Sequence, residues 1–355
     1  MKFIHCSDIH LDSRMESNLT EAQARERNAE ICASFGRLVD EAARQKVAAV
    51  LIAGDLFDTE RATAQTADYI LSRIAGVPEV DFLYLRGNHD ETVFDGMKLP
   101  ENLKTFSREW TCYRYGDVVV TGLEMDAENC LEMYRSLKLS PENINIVMLH
   151  GQESTRPGNE QICLPMLRGK HIHYLALGHI HSFKCEPLDL QGLYCYSGCL
   201  EGRGFDECGD KGFVFLNVES GRVRPQFVPF ARRTLRTATV DITGLVKVGQ
   251  ILEAAEQALR NIPRESLVKL TLTGSYTLDT QKDLRFFQKM LEQKFYFLKI
   301  KDESRLSIEK GNYEYDISLK GAFIRLVMAS DKTDEQKEQI ISCGIRALSG
   351  GEVEL

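Results

Sequence analysis

The sequence predicts an α/β fold of stacked sheets and helices, and three observations predict it. Short apolar runs alternate with amphipathic helical stretches through the first half of the chain. Clusters rich in histidine and aspartate stand where those runs end. A second, smaller set of strand-like and helix-like segments begins near residue 233.

In chain order, "KFIHCS" reads as a strand, and "RERNAEICASFGRLVDEAARQ" follows with Ile31, Phe35, Leu38, Val39 and Ala42 at helical spacing. "AAVLIAG" is a second apolar run, residues 65–74 a second helix and "VDFLYLRG" a third strand. "DVVVTGLE", "INIVMLHG" and "HYLALGHIH" add strands, and "GLYCYSG" and "GFVFLNVESGRVRPQFV" continue them, with a hairpin turn at Ser220 and Gly221. Past residue 233 come a strand in "TATVDITG", a helix in "VGQILEAAEQALRN", a strand in "LVKLTLTG", a helix in "QKDLRFFQKMLEQKF" and a strand in "YFLKIKD". Two amphipathic helices, "AFIRLVMAS" and "DEQKEQIISCGIRALSG", close the chain. The expected domains are therefore 1–232, 233–318 and 319–355.

Composition narrows the class. The 355 residues exceed one typical domain, and 43% hydrophobic with 27% charged residues is ordinary for a globular protein. No stretch approaches the roughly 18 apolar residues of a membrane span, and "MKFIHCSDIH" lacks the form of a secretion signal, so a cytoplasmic protein with no membrane role is expected. Ten scattered cysteines without a C-x-x-C pair read as free thiols. A net charge of −8 argues against a surface coated for indiscriminate nucleic-acid binding, but leaves room for a local basic groove.

Five clusters carry the chemistry: "SDIH" (Asp8, His10), "GDLFD" (Asp55, Asp58), "GNHD" (Asn88, His89, Asp90), "LHG" (His150) and "GHIH" (His179, His181). In an open α/β sheet, ligand sites assemble at the carboxyl ends of strands, so these segments are expected to converge. Imidazole, carboxylate and amide oxygen, without thiolate, suit a divalent metal such as manganese, iron or zinc. Asp8, His10, Asp55, Asn88, His150, His179 and His181 are too many for one tetrahedral ion. They suffice for two ions about 3.5–4 Å apart, with Asp55 as the bridge. Glycines 54, 87, 151 and 178 allow the tight turns that aim these ligands inward. Each piece alone has a plainer reading: a half-buried histidine, an aspartate capping a helix, a tight turn. Their joint placement at five strand ends outweighs those readings.

These motifs resemble the signature of the calcineurin-like metallophosphoesterases, over roughly the first 230 residues. More narrowly, "HCSDIHLDS", "AGDLFD", "YLALGHIH" and "YSGCLEGRGFDECGDKGF" resemble SbcD-type DNA repair exonucleases, with "HLDS" and the short length leaning towards the YhaO-like branch. The resemblance implies a four-layer β-sandwich flanked by helices, with a small α/β capping domain. It assigns Asp8, His10, Asp55 and His181 to one metal, and Asp55, Asn88, His150 and His179 to the other. The ions it implies are manganese foremost, with magnesium, iron or zinc as alternatives. His89 matches the histidine that acts near the scissile phosphate, and Asp58 is expected to orient it by accepting its ring N–H.

The activity expected is two-metal hydrolysis of DNA from the 3′ end, in DNA repair. Two alternatives stand beside it: a phosphodiesterase for cyclic or dinucleotide substrates, and a non-catalytic scaffold for an ATPase. Arg203 and Lys211 are expected to meet DNA phosphates or to lie in a polar surface loop. The expected partners are DNA, an SbcC-like coiled-coil ATPase docked on the terminal helices, and a second copy of the chain.

Overall fold

The computed structural model describes every residue except 16–18, 59–61, 91–92, 308–312, 314 and 349–355. The chain divides into two units, Met1–Thr234 and Leu235–Leu355. Parts of the expected capping domain (308–312 and 314) and of the terminal helices (349–355) lie outside the described residues.

In the first unit, two six-stranded sheets are built around parallel centres. The first runs, in spatial order, Arg222–Pro229, Gly212–Glu219, Lys2–Cys6, Ala49–Ala53, Asp81–Leu85 and Leu103–Thr105. The second runs Lys184–Pro187, Leu193–Tyr196, Ile172–Gly178, Ile144–His150, Val118–Gly122 and Thr111–Tyr115. Strands buried on both faces read as unbroken apolar runs, which is why "AVLIA" and "VVVTG" show no polar alternation.

Side chains still alternate between two cores. Ile4, Val50, Ile52 and Phe82 face Ile31, Phe35 and Leu38 of the helix Glu21–Gln45 and Ile70 and Ile74 of the helix Ala64–Ala75. Their neighbours Phe3, Leu51, Leu83 and Leu85 face Val120, Ile146, Met148 and Ala176 of the second sheet. The outer face of that sheet, with Val147, Leu149, Leu175 and Leu177, is covered by Leu123, Met133, Tyr134 and Leu167. The order helix, sheet, sheet and helical cover is the expected four-layer sandwich.

Local chemistry sets the element ends. Thr20 caps the first helix in a reciprocal pair with Gln23: its hydroxyl accepts from Gln23 N (3.3 Å), and Gln23 Oε1 accepts from Thr20 N (3.1 Å). That cap starts the helix at Glu21, ahead of the periodic stretch. Ser220 and Gly221 both have positive φ (51° and 73°), as a two-residue hairpin turn requires.

The second unit holds a sheet of three parallel strands, with Leu267–Thr273 between Leu235–Asp241 and Phe297–Asp302, and a short parallel pair, Ser275–Tyr276 with Arg305–Leu306. The helices Val248–Leu259 and Leu284–Leu291 pack on them through Ile251, Leu259, Phe287 and Leu291. Asp283 accepts from Phe286 N (2.9 Å) and so fixes the start of the later helix. The terminal helices Leu319–Met328 and Asp334–Leu348 pack within this unit, through Ile324, Val327 and Ile341 against Leu306. Leu319 and Leu326 remain exposed. Among the described residues, no helix is long and apolar enough to cross a membrane.

Candidate metal centre

Every predicted cluster sits at or just past the carboxyl end of a parallel strand: Asp8 and His10 after Lys2–Cys6, Asp55 after Ala49–Ala53, Asn88 and His89 after Asp81–Leu85, His150 ending Ile144–His150, and His179 and His181 after Ile172–Gly178. The two sheets place these ends side by side. Gly54 and Gly178 show how closely: a Cβ on either would come within 3 Å of the His150 ring, and one on Gly178 would also strike the Ala53 carbonyl oxygen at 1.9 Å.

Four of the predicted ligands adopt the sparsely populated positive-φ backbone: Asp8 (52°), His10 (49°), Asp55 (52°) and His179 (97°). Non-glycine residues held there store strain, which proteins retain chiefly where function or packing over-determines it. The loops are pinned by backbone bonds from Asp8 N to Gly54 O and from His10 N to Asp55 O, both 3.0 Å.

Two groups of donor atoms form. In one, His10 Nε2 lies 3.3 Å from His181 Nε2 and 3.7 Å from Asp55 Oδ2, while Asp8 Oδ1 is 3.9 Å from His181 Nε2. In the other, His150 Nε2 lies 3.0 Å from Asn88 Oδ1 and 3.4 Å from Asp55 Oδ2. The His179 ring stands edge-on to His150 with centroids 5.4 Å apart. Asp55 Oδ2 is thus near both groups, the place expected of a bridging carboxylate. Asp8–His10–His181 and Asp8–Asp55–His150 each bring their donor atoms within 4.8 Å of one another.

The electrostatics ask for positive charge. Asp8 and Asp55 are buried, and burial pushes the Asp8 carboxyl above the usual carboxylate range against the pull of His150 and His181. Burial acts on Asp55 in the same sense, but the hydrogen bond and charge of His150 outweigh it and hold Asp55 well below that range. The His150 ring is pushed up to about 9: burial opposes the proton, yet Asp55 and Asp8 retain it. His150 Nδ1 donates to Ala53 O (2.9 Å), so the retained proton sits on Nε2, among acceptors, in the place a cation would take. His10 is pushed down to about 3 by burial and then by the charge of Arg203, and His179 is lowered by burial and then by His150. Imidazoles, carboxylates and an amide oxygen converge here, and the proton that His150 retains on Nε2 is the one a divalent ion would displace, a donor set that fits such ions.

The remaining predicted residues differ in what they touch. His89 is exposed, its ring is 5.2 Å from that of His10, and its backbone N–H donates to Asp55 Oδ1 (3.0 Å). Asp58 is half-buried and, among the described residues, makes no hydrogen bond to the His89 ring; its charge acts on Arg203 instead. The carboxylate that does organise the "GNHD" loop is Asp90, which accepts from Phe57 N (2.8 Å), Gly87 N (3.0 Å) and Leu56 N (3.2 Å). Lys211 corrects its sequence reading. It is 3% exposed and donates to the His181 carbonyl oxygen (2.6 Å), so it is not a surface phosphate contact. Arg203 is half-buried and turned onto Glu207 (2.8 Å).

Sequence reasoning missed Glu207 altogether. Its Oε1 accepts from His181 Nδ1 at 2.6 Å. The signal was its place in "FDECGDKG", but nothing local marks that carboxylate out from its acidic neighbours.

Compared with known proteins, residues 1–183 match the family of calcineurin-like phosphoesterases. The chain is 28% identical over 298 residues to the uncharacterized metallophosphoesterase YhaO of Bacillus subtilis (strain 168), a match covering 78% of this chain and 72% of that protein. It is 28% identical over 203 residues to the DNA double-strand break repair protein Mre11 of Sulfurisphaera tokodaii, covering 53% of this chain and 51% of that one. To the Mre11 of Saccharolobus solfataricus it is 29% identical over 197 residues, 51% of this chain and 50% of the other. The chain thus spans about half the length of these two archaeal relatives.

Proposed function

The chain belongs to the calcineurin-like phosphoesterase family, and from that premise we propose that it is a cytoplasmic DNA exonuclease, dependent on two divalent metal ions and acting from the 3′ end in DNA repair. The single observation that carries the two-ion reading is Asp55 Oδ2, 3.7 Å from His10 Nε2 in one donor group and 3.4 Å from His150 Nε2 in the other. Asp8, His10, Asp55 and His181 would hold one ion, and Asp55, Asn88, His150 and His179 the second. Bound there, the ions supply Lewis acidity to a phosphodiester and to a water molecule.

The chain's own groups set the geometry. Asp90 fixes the 87–89 loop against the 56–57 loop, so the His89 backbone is locked to Asp55 while its ring stays open to solvent beside His10. From there His89 steadies or protonates the leaving oxygen. Manganese is the ion proposed, because the set mixes imidazole with oxygen ligands. DNA as substrate draws its support from the DNA-repair relatives, and an SbcC-like coiled-coil ATPase is the partner proposed for the exposed Leu319 and Leu326 of the terminal helices.

The test is a substrate panel with Mn2+: 5′-labelled single-stranded DNA, a cyclic dinucleotide and a bis-nucleoside phosphate. Stepwise shortening of the DNA from its 3′ end is expected. Hydrolysis of the small substrates with DNA left intact would replace the nuclease reading by the small-phosphodiester one. No hydrolysis of any member with Mn2+, Mg2+, Fe2+ or Zn2+ would favour the scaffold instead.

A further inference from the structure

Three imidazoles of the centre differ in what their second ring nitrogen does. His150 Nδ1 donates to a neutral backbone carbonyl, Ala53 O (2.9 Å), and His10 Nδ1 is buried with no hydrogen-bond partner among the described residues. His181 Nδ1 alone among them meets a carboxylate, Glu207 Oε1, at 2.6 Å. Arg203 Nη2, a donor, also comes within 3.2 Å of this nitrogen, but the 2.6 Å contact to Glu207 is the closer, and a carboxylate accepts and does not donate, so the ring carries its proton on Nδ1. The His181 Nε2 lone pair is thereby left bare towards His10 Nε2 (3.3 Å) and Asp8 Oδ1 (3.9 Å).

Glu207 is itself immobilised. Its Oε2 accepts from Arg203 N (2.7 Å), and its Oε1 accepts from Arg203 Nη2 (2.8 Å) and Nε (3.3 Å). The same segment grips the His181 backbone, since Lys211 Nζ (2.6 Å) and Cys199 N (3.3 Å) both donate to its carbonyl oxygen. Ring and backbone of His181 are therefore held from one stretch, residues 199–211, and the ring contact is charged.

We infer that Glu207 is a positioning residue for the cation held by Asp8, His10 and His181: it fixes the tautomer and ring direction of His181 and raises its strength as a ligand, with Arg203 acting through Glu207. The inference rests on the two-ion reading of the site. Carboxylates behind a ligating histidine have this effect generally, and losing one weakens metal binding roughly 10- to 100-fold. The consequence here is asymmetric. Loss of Glu207 weakens one of the two ions, the one that His181 serves, and leaves the ion of Asn88, His150 and His179 nearly untouched.

The experiment compares wild type with Glu207→Ala and Glu207→Gln in two ways. Calorimetric titration of the metal-free full chain with Mn2+ is expected to give two ions for wild type and one ion weakened roughly 10- to 100-fold for Glu207→Ala. Glu207→Gln is expected to fall between, because its amide oxygen still accepts from Nδ1–H without the charge. Spectra of 15N-histidine-labelled, metal-free protein are expected to show His181 protonated on Nδ1 in wild type and Glu207→Gln, and a mixture of tautomers in Glu207→Ala. Glutamine keeps the buried contact, so it tests the charge even where alanine unfolds the segment. A folded Glu207→Ala with unchanged tautomer and two wild-type affinities would overturn the inference. Wild type that binds no ion would instead overturn the two-ion reading, and the histidine spectra would still decide the role of Glu207.

Discussion

Gly87 gives the sharpest test of how tightly the centre is built. Its φ lies outside the left-handed region, so alanine accepts the backbone and the only question is space. A Cβ there would stand 2.2 Å from Asp55 Oδ1, 2.6 Å from Asp55 N and 2.8 Å from Asp55 Cγ. An ordinary contact begins at 3.4 Å, so the Asp55 carboxylate has to give by more than 1 Å. Asp55 lies near both donor groups, and a misplacement of about 1 Å at a reacting centre costs on the order of 100-fold in rate. Gly87→Ala is therefore expected to lower kcat/KM towards bis-p-nitrophenyl phosphate with Mn2+ by roughly that factor, while overpacking costs about 1–3 kcal/mol of stability. The control is Gly249→Ala, where an added Cβ meets nothing within 4 Å and activity should stay at the wild-type level. Gly87→Ala with kcat/KM within about threefold of wild type would refute the argument that Asp55 is held at close tolerance.

Three further outcomes follow from the same geometry. Saturating Mn2+ should raise the unfolding free energy by about 2.7 kcal/mol per site at a hundredfold excess over Kd, seen as a rise in melting temperature; Asp55→Asn should abolish the gain from both sites and Asn88→Ala from one. An Asp55→Asn protein that responds to Mn2+ like wild type would break the bridging role. His89→Asn should slow turnover at least tenfold yet bind both ions in calorimetry, and loss of both ions in that variant would refute a role confined to the leaving group. His5 is fully buried, and burial pushes its ring down to about 3 against the favourable bond to Leu177. Its imidazole therefore stays neutral in the folded chain while the unfolded chain takes up a proton below about 6.5. The stability it contributes is complete above that pH, declines as pH falls, and is lower by about 2 kcal/mol at pH 5. Denaturant unfolding of metal-free protein at pH 7.5 and 5 should show that much less acid sensitivity in His5→Asn, and equal sensitivity would contradict the assignment.

The chemistry of the centre was legible because it demands particular residue types at strand ends, and few other roles place Asp8, Asp55, Asn88 and His179 there in that order. The alternation of two cores was not. Phe3 and Ile4 are both wholly buried and look equivalent in a run, although one faces the second sheet and the other the helices. The strained backbone at Asp8, His10, Asp55 and His179 was hard to see as well: aspartate and histidine enter positive φ more often than most residues, but too seldom for their presence to mark a position. Asp58 and Asp90 flank the centre with the same side chain, and spacing could not tell that Asp90 accepts the three backbone N–H groups.

The segment "GCLEGRGFDECGDKG" is where composition misleads most, and the reason is physical. Polar, glycine-rich stretches are usually solvated loops, since burying charges without partners is costly. Here Glu201, Glu207 and Lys211 are all buried, and each is paired. Glu201 accepts from Arg27 Nη2 (3.1 Å) and Ser34 Oγ (2.6 Å) of the first helix, Glu207 from His181 and Arg203, and Lys211 donates to the His181 carbonyl. Four of those five contacts reach residues between 26 and 174 positions away, distances over which local pattern carries no information. Because Glu201 is bonded to the helix while Glu207 and Lys211 are bonded to His181, this stretch ties the helical layer to the centre. A substitution on the helix side, Arg27→Ala, should therefore destabilise the fold by several kcal/mol, as removal of one member of a buried ion pair does. It should also weaken Mn2+ binding, although Arg27 touches no ligand. Unchanged Mn2+ affinity in a folded Arg27→Ala protein would show that the two ends of the segment act independently.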